Sequence, residues 1–247
     1  MSWKEKKETL GKEIIGMLYD SQMIRTWYRD KHEGWTLHSG LWSPIYINLR
    51  HLGSFPSVFK KVSIALGQLI KEECKSVNKV VGIATAGVPI SAAIGIEASI
   101  PCGYTRKIDA KNVEEFRKKI SKYGQHAIVE GNFEDGDEIV LVDDLVTRMT
   151  SKLIAVEQFR AEMERRSVNA KSNKILVLLD REQGAQKTAT ENGLELFSLI
   201  PFKSKGVKWL EDRFTSLEYE VISDYLLNSD KYQDETIQNN LKNQARE

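Results

Sequence analysis

Two adjacent carboxylates, Asp143 and Asp144, end the apolar run Glu138-Ile139-Val140-Leu141-Val142, and the hydroxyl-bearing turn Thr147-Arg148-Met149-Thr150-Ser151 follows shortly after. A carboxylate pair so placed can hold hydroxyl groups or a hydrated cation, and N–H groups at a helix start can hold a phosphate. The helix is written in the next residues: Leu153, Ile154, Val156, Phe159 and Met163 recur on one face at helical spacing. Strand, acidic pair, polar turn and helix form the kind of ligand site that open α/β sheets present at the carboxyl ends of their strands. The same pattern is also met by an Asp-capped βα loop that binds nothing.

Cations of two kinds accompany this segment. Arg181, after Leu178-Leu179-Asp180, offers a planar fork suited to bidentate recognition of a carboxylate. Arg106-Lys107 and Arg117-Lys118, with Lys119 and Lys122, are a supply of positive charge suited to a polyphosphate. Residues 112–122 equally describe a charged surface helix, with Glu114 and Glu115 pairing to Lys118 and Lys119.

The elements that must position these groups alternate between strand and helix. Leu10, Ile14, Met17 and Leu18 predict an amphipathic first helix, and residues 26–36 a loop leading into the segment from Trp35 to Ile47. Pro56 and Ser57 start a second helix with Val58, Phe59, Val62, Leu66, Leu69 and Ile70 on its apolar face. Strands are expected at 80–84, 100–105, from Glu138, at 174–179 and at 194–200. Thr85 to Pro89 is expected to be a loop and the following small-residue stretch a helix, with a further helix near Leu217 to Leu227. Such alternation predicts an α/β fold with a mainly parallel sheet flanked by helices. The end from Asn228 is polar enough to be partly disordered.

Val142-Asp143-Asp144-Leu145-Val146-Thr147 resembles the phosphoribosyl-diphosphate (PRPP) motif of type I phosphoribosyltransferases. Three further segments resemble the orotate phosphoribosyltransferase branch. They are Leu37 to Arg50, the Leu178-Leu179-Asp180-Arg181-Glu182-Gln183-Gly184-Ala185 turn, and Arg117-Lys118 with Lys122-Tyr123-Gly124 and Val129-Glu130-Gly131. The four occur in family order over most of residues 37–200. The resemblance implies a type I phosphoribosyltransferase fold in one domain: an N-terminal hood over 1–50, a core over 51–227 and a polar tail over 228–247. It implies transfer of a phosphoribosyl group from PRPP to N1 of orotate, releasing pyrophosphate and giving orotidine 5'-monophosphate for pyrimidine biosynthesis. Magnesium, held mainly through PRPP, and a homodimer come with it.

Residue roles are implied in the same way. PRPP falls to Asp143, Asp144, Thr147, Arg148, Thr150 and Ser151, to Thr85 and Ala86, and to Arg106, Lys107, Arg117, Lys118 and His38. Orotate falls to Tyr46, Ile47, Thr147 and Arg181, and catalysis to Lys118, Lys122 and Asp144. Which Arg-Lys pair meets pyrophosphate is left open, since an insertion between the two would explain both fits. The chain departs from the family pattern at four places: His38 and Ser121 replace lysines, Met149 stands where glycine is usual, and no lysine accompanies Thr85. Met149 in particular predicts either a different loop path or weaker phosphate binding, because glycine lets backbone approach a ligand closely. A weakened paralogue that binds a nucleotide or phosphorylated ligand in a regulatory role is therefore the alternative.

Composition narrows the setting. Lys+Arg 36 against Asp+Glu 35 gives a net charge of +1, so no global field recruits nucleic acid or an acidic membrane surface. The apolar runs are far shorter than the roughly 20 residues of a membrane span. No signal-peptide core follows the charged start, which makes a cytoplasmic protein the expectation. Cys74 and Cys102 lack metal-ligand spacing and are expected to be buried apolar residues.

Overall fold

The structure, a computed structural model, describes residues 1–37, 40–120 and 126–246. His38, Ser121, Lys122, Tyr123 and Gly124, singled out above, lie outside the described residues. The chain opens with α1 (Trp3–Asp20), started by a reciprocal capping box between Ser2 and Glu5. Its Ile14 and Leu18 are fully buried, as the spacing predicts. Two small antiparallel ladders come next. β1 (Ile24–Thr26) pairs with β4 (Ile45–Ile47), and β2 (Trp35–Thr36) pairs with β3 (Trp42–Ser43). Strands this short leave no alternation to read, which is why the sequence suggests only a loop over 26–36.

After α2 (Pro56–Glu73) the main sheet is built from β5 (Lys79–Gly82), β6 (Cys102–Thr105), β7 (Val129–Glu130), β8 (Glu138–Val146), β9 (Lys171–Asp180) and β10 (Glu195–Pro201). Their order in the sheet is β10-β9-β8-β5-β6-β7, and every pairing is parallel except β6 with β7. β8 lies between two parallel neighbours, β9 and β5, and its Ile139 to Asp144 are all buried. Alternate residues feed two cores. Val140, Val142, Leu176 and Leu178 face one cluster with α1 and α2, while Leu141, Ile175 and Val177 face the other. Cys74 is buried as expected, but Cys102 is exposed, because β6 turns Gly103 and Thr105 inward and Cys102 and Tyr104 outward.

Helices close both faces. α3 (Gly87–Ala98) starts two residues before Pro89, earlier than the loop expected through that proline, since a proline in the first turn forfeits no helical hydrogen bond. α4 (Val113–Ile120) buries Phe116 and carries the two glutamate–lysine pairs, Glu114–Lys118 and Glu115–Lys119. α5 (Thr150–Arg166) and α6 (Ala185–Glu191) cover the second cluster.

The C-terminal part is ordered, in contrast to the expectation of partial disorder from Asn228. α7 (Val207–Trp209) and α8 (Ser216–Leu227) lead through a 3-10 turn, Ser229–Gln233, into α9 (Glu235–Gln244). The cause is a few apolar anchors within polar sequence: Tyr232 stacks parallel to Trp42 at 6.5 Å and Leu241 is buried. The Leu241 carbonyl accepts from Trp27 Nε1 at 3.2 Å, and Gln233 accepts from Trp42 N–H at 2.8 Å. Glu218, itself buried, caps α8 and accepts a short hydrogen bond from the Thr26 hydroxyl. The tail thus ties down the same β1–β4 segment that carries Tyr46 and Ile47. Leu241→Ala should lower the unfolding free energy by about 2 kcal/mol, the low end for a buried leucine at the edge of a core. Chemical denaturation reads this directly, and an unchanged midpoint would mean that α9 adds nothing to the folded state.

Candidate functional site at the carboxyl end of the sheet

Asp143 and Asp144 lie within the last turn of β8, not after it, and both are buried. Their loads differ. Asp143 Oδ2 is paired with Lys152 Nζ at 2.8 Å, and Asp143 Oδ1 accepts the Asp144 N–H at 2.9 Å. Among the described residues no cation is paired with Asp144; its Oδ1 accepts the Leu145 N–H at 2.7 Å. Burial, and then the neighbouring Asp143 charge, push the Asp144 carboxyl up to about 6, with Lys152 and the Leu145 N–H opposing.

At Met149 the turn that follows takes a path of its own, the first of the two outcomes that the missing glycine leaves open. Its backbone is right-handed, with φ −76°, and its side chain is 1% exposed within the second core cluster. No residue from 147 to 151 is left-handed, so no glycine is required. The Met149 side chain therefore does not project into the site, and the loop takes a path that a Cβ tolerates. Its carbonyl accepts from the Lys152 and Leu153 N–H groups, at 2.9 and 2.8 Å. No side chain caps α5, which leaves its first N–H groups available to an anion beside the exposed Arg148, Thr150 and Ser151.

Neighbouring loops converge on this turn. Thr85 and Ala86 are held against β8 by two glycines: a Cβ on Gly87 would stand 2.1 Å from the Val142 carbonyl oxygen, and one on Gly82 2.4 Å from the Gly87 oxygen. The Ala84–Thr85 peptide is cis, and the Ala84 N–H donates to Thr105 Oγ1 at 2.9 Å. A cavity of about 180 Å³ joins Thr85 and Ala86 to Leu49, Arg50 and Gly53, just beyond β4. Another of about 140 Å³ places Arg106 and Lys107 beside Ser151. Gln158 fixes that edge by donating to the Arg106 and Ile128 carbonyls at 2.8 and 2.6 Å. The ion pairs of these cations among the described residues are exposed and loose, Arg106 with Glu130 at 3.8 Å and Lys107 with Asp109 at 3.4 Å, so both cations can exchange to a ligand.

Arg181 arrives through the parallel register of β8 and β9, which sets Val146 against Asp180. Its N–H donates to the Val146 carbonyl at 3.0 Å, so it stands beside the turn at Thr147. Its Nε is buried with no partner, and burial lowers the guanidinium from its ordinary value. A buried, unsatisfied donor of this kind fits a ligand carboxylate. Tyr46 and Ile47 are half-buried on β4, with Tyr46 stacked on Trp35 at 5.7 Å.

Arg117 and Lys118 are not drawn into this edge. Arg117 pairs with Glu157 of α5 at 2.6 Å, and the exposed Lys118 with Glu114 at 2.7 Å. His38 and Lys122 lie outside the described residues. Two residues escaped the sequence reading: Gln158 and Lys152. The signal for Lys152 was present, since it lies four and seven residues before the buried Val156 and Phe159, on the apolar face.

Among the described residues no group of three or more His, Cys, Asp or Glu side chains is arranged to hold a metal. With Asp143 already on an ammonium, the donor set fits magnesium carried by a polyphosphate substrate better than a protein cage. No described helix is long and apolar enough to cross a membrane. A larger groove of about 930 Å³ between α1 and α7 is lined by charged residues of both signs, among them Lys205 paired with Glu8 and Arg213 paired with Asp20, and none of the sequence-predicted site residues faces it. Chemistry, not size, therefore marks the sheet edge as the site.

None of the protein-family models searched matches the chain. It is 30% identical over 168 residues to the orotate phosphoribosyltransferase of Methanocaldococcus jannaschii, covering 68% of this chain and 84% of that protein. It is similar to the solved UMP synthase of Leishmania donovani at a TM-score of 0.70 and 25% identity, over 88% of this chain. The match spans 42% of that longer chain. It is also similar to the orotate phosphoribosyltransferase structure from Aeropyrum pernix, at a TM-score of 0.58 and 25% identity, over 81% of this chain and 97% of that one.

The buried Asp144 has a consequence for stability. Its folded-state value of about 6 lies above the ordinary 3.8, so folding favours the protonated form. That contribution is complete below the ordinary value and is lost as the pH rises through 6. Asp144→Asn keeps the acceptor for the Leu145 N–H and cannot ionise. It should be more stable than the parent at pH 8, by on the order of 2 kcal/mol, with the gap closing as the pH falls through 6. Thermal unfolding across this range checks it, and a gap independent of pH would contradict the burial of this charge.

Proposed function

The chain belongs to the orotate phosphoribosyltransferase family, with the type I phosphoribosyltransferase fold, and from that premise we propose how its residues carry out the transfer from PRPP to orotate. Arg181 takes the orotate carboxylate with its unpaired Nε edge, and the backbone of Tyr46 and Ile47 reads the ring. The single observation that carries this reading is a buried Arg181 Nε without a partner among the described residues, on a backbone that the β8–β9 register sets beside Val146. The turn and the first N–H groups of α5 receive the 5-phosphate, with hydroxyls from Thr147, Thr150 and Ser151 and charge from Arg148. Asp144, the carboxylate without a cation partner, accepts the ribose hydroxyls.

Pyrophosphate departs toward Thr85, Ala86, Arg106 and Lys107, whose loose ion pairs leave two cations free to follow the developing charge. Magnesium, entering on PRPP, would supply further neutralisation of that leaving group. The protein holds N1 of orotate in line with the ribose C1 and keeps water away, so that the C1–N1 glycosidic bond forms as the bond from C1 to the pyrophosphate oxygen breaks. Arg117 and Lys118, carried on α4, together with Lys122 suit the partner's site in a homodimer. His38 would add a contact to PRPP. The same reading makes the protein a cytoplasmic enzyme. No observation favours the weakened-paralogue alternative: Met149 is turned into the core, and His38 and Ser121 lie outside the described residues.

Purified protein with PRPP and magnesium should consume orotate, followed by its absorbance, and release pyrophosphate. Absence of both products would defeat the assignment. Arg181→Ala should raise the orotate KM roughly 100-fold with far less effect on the PRPP KM, and equal effects on the two would remove Arg181 from the carboxylate.

A further inference from the structure

Lys152 is a lysine where it is least expected, on the buried face of a helix, with its side chain only 6% exposed. Burying an ammonium is unfavourable unless its hydrogens and its charge are met. Here they are met within the site itself. Nζ reaches Asp143 Oδ2 at 2.8 Å, the Leu145 carbonyl at 2.7 Å and Ser151 Oγ at 3.3 Å. Three acceptors saturate the three N–H bonds, so Lys152 keeps no donor for a ligand. The three oxygens belong to the end of β8 and to the far side of the turn. One side chain thus spans the base of the 146–151 loop, the stretch in which no residue is left-handed and no glycine occurs.

The electrostatic effect is as definite as the geometric one. Without Lys152, two adjacent buried carboxylates would face a substrate that is itself a polyanion, at short range and in a poorly screened place. With Lys152 on Asp143, only one net negative charge faces outward, and it belongs to Asp144. We infer that Lys152 is a positioning residue for PRPP: it neutralises Asp143, leaves Asp144 as the one carboxylate offered to the ribose, and struts the phosphate turn in place of the missing glycine. The inference rests on the PRPP site of the proposed function and assigns that site a built-in cation.

The test is a double-mutant cycle on the whole protein, using Lys152→Met, Asp143→Asn and the two together. Lys152→Met should raise the PRPP KM by roughly 10- to 100-fold, the size of one hydrogen bond to a charged group, while the orotate KM moves little. A merely structural lysine would instead reduce the active fraction and with it kcat, leaving both KM values in place. Asp143→Asn in the Lys152→Met background removes the stranded charge and should bring the PRPP KM back toward that of Asp143→Asn alone. This double variant is neutral and keeps the cycle readable if the single one folds poorly. An unchanged PRPP KM in Lys152→Met, or a double variant no better than Lys152→Met, overturns the inference. The same series read as PRPP dissociation constants by calorimetry separates it from the functional reading. Binding in this pattern without orotate turnover would sink the enzyme assignment and leave the role of Lys152 standing, whereas a parent protein that binds no PRPP overturns both.

Discussion

Two carboxylates side by side at the buried end of a strand repel each other, and each loses the water that would stabilise its charge. The Asp143–Lys152 ion pair resolves that conflict, and the rest of the site is arranged around it. It divides an otherwise symmetric acidic pair into a neutralised structural member and a free member, Asp144, whose carboxyl is held near 6. It also draws the first turn of α5 back onto β8 through Leu145 and Ser151, which sets the path of the intervening loop. A buried pair of this kind is not in itself a source of stability, because the desolvation of both ions offsets most of their attraction. Its value lies in fixing which charge faces the ligand.

Around that pair, the parallel sheet acts as a ruler. The register of β8 with β9 brings Arg181 to the same level as Val146, so Arg181 and the 147–151 turn become neighbours although they are far apart along the chain. On the other side, β5 delivers Thr85 and Ala86, and only Gly82 and Gly87 permit that loop to press against the Val142 carbonyl. The β6 edge delivers Arg106 and Lys107, secured through their backbone by Gln158. The β1–β4 segment is then held down from an unexpected quarter, the C-terminal α8–α9 segment, through Trp27, Trp42 and Thr26. Ligand-facing groups thus come from loops, and their precision comes from strands and buried polar staples.

Where the physical signal was periodic or carried on a motif, the sequence disclosed the outcome. The five main strands, α1, α2 and α5 follow from apolar spacing, and the family follows from Asp143-Asp144 and Arg181 with their neighbours. Signals that depend on tertiary context were not legible. β7 is two residues long, and the hood ladders are no longer than three. The order of the tail depends on the single anchors Tyr232 and Leu241, invisible against a polar background. At Met149 comparison with glycine leaves two outcomes open, a different loop path or weaker phosphate binding, because a sequence does not say which way a turn residue points. Lys152 was passed over for the converse reason, that a lysine on a helix is ordinarily solvated. The surroundings of the two Arg-Lys pairs are tertiary as well: Arg106 and Lys107 stand beside Ser151, while Arg117 pairs with Glu157 and Lys118 with Glu114.

The central claim, that a glycine-free turn stapled by Lys152 is the PRPP site, is tested most directly by a crystal structure with PRPP and magnesium bound. The account predicts the 5-phosphate on the 147–151 turn at the start of α5 and the ribose hydroxyls on Asp144. Lys152 would still be paired with Asp143, and Met149 still right-handed within the core. A phosphate seated elsewhere, or a turn that binds it only after Lys152 leaves Asp143, would contradict the account.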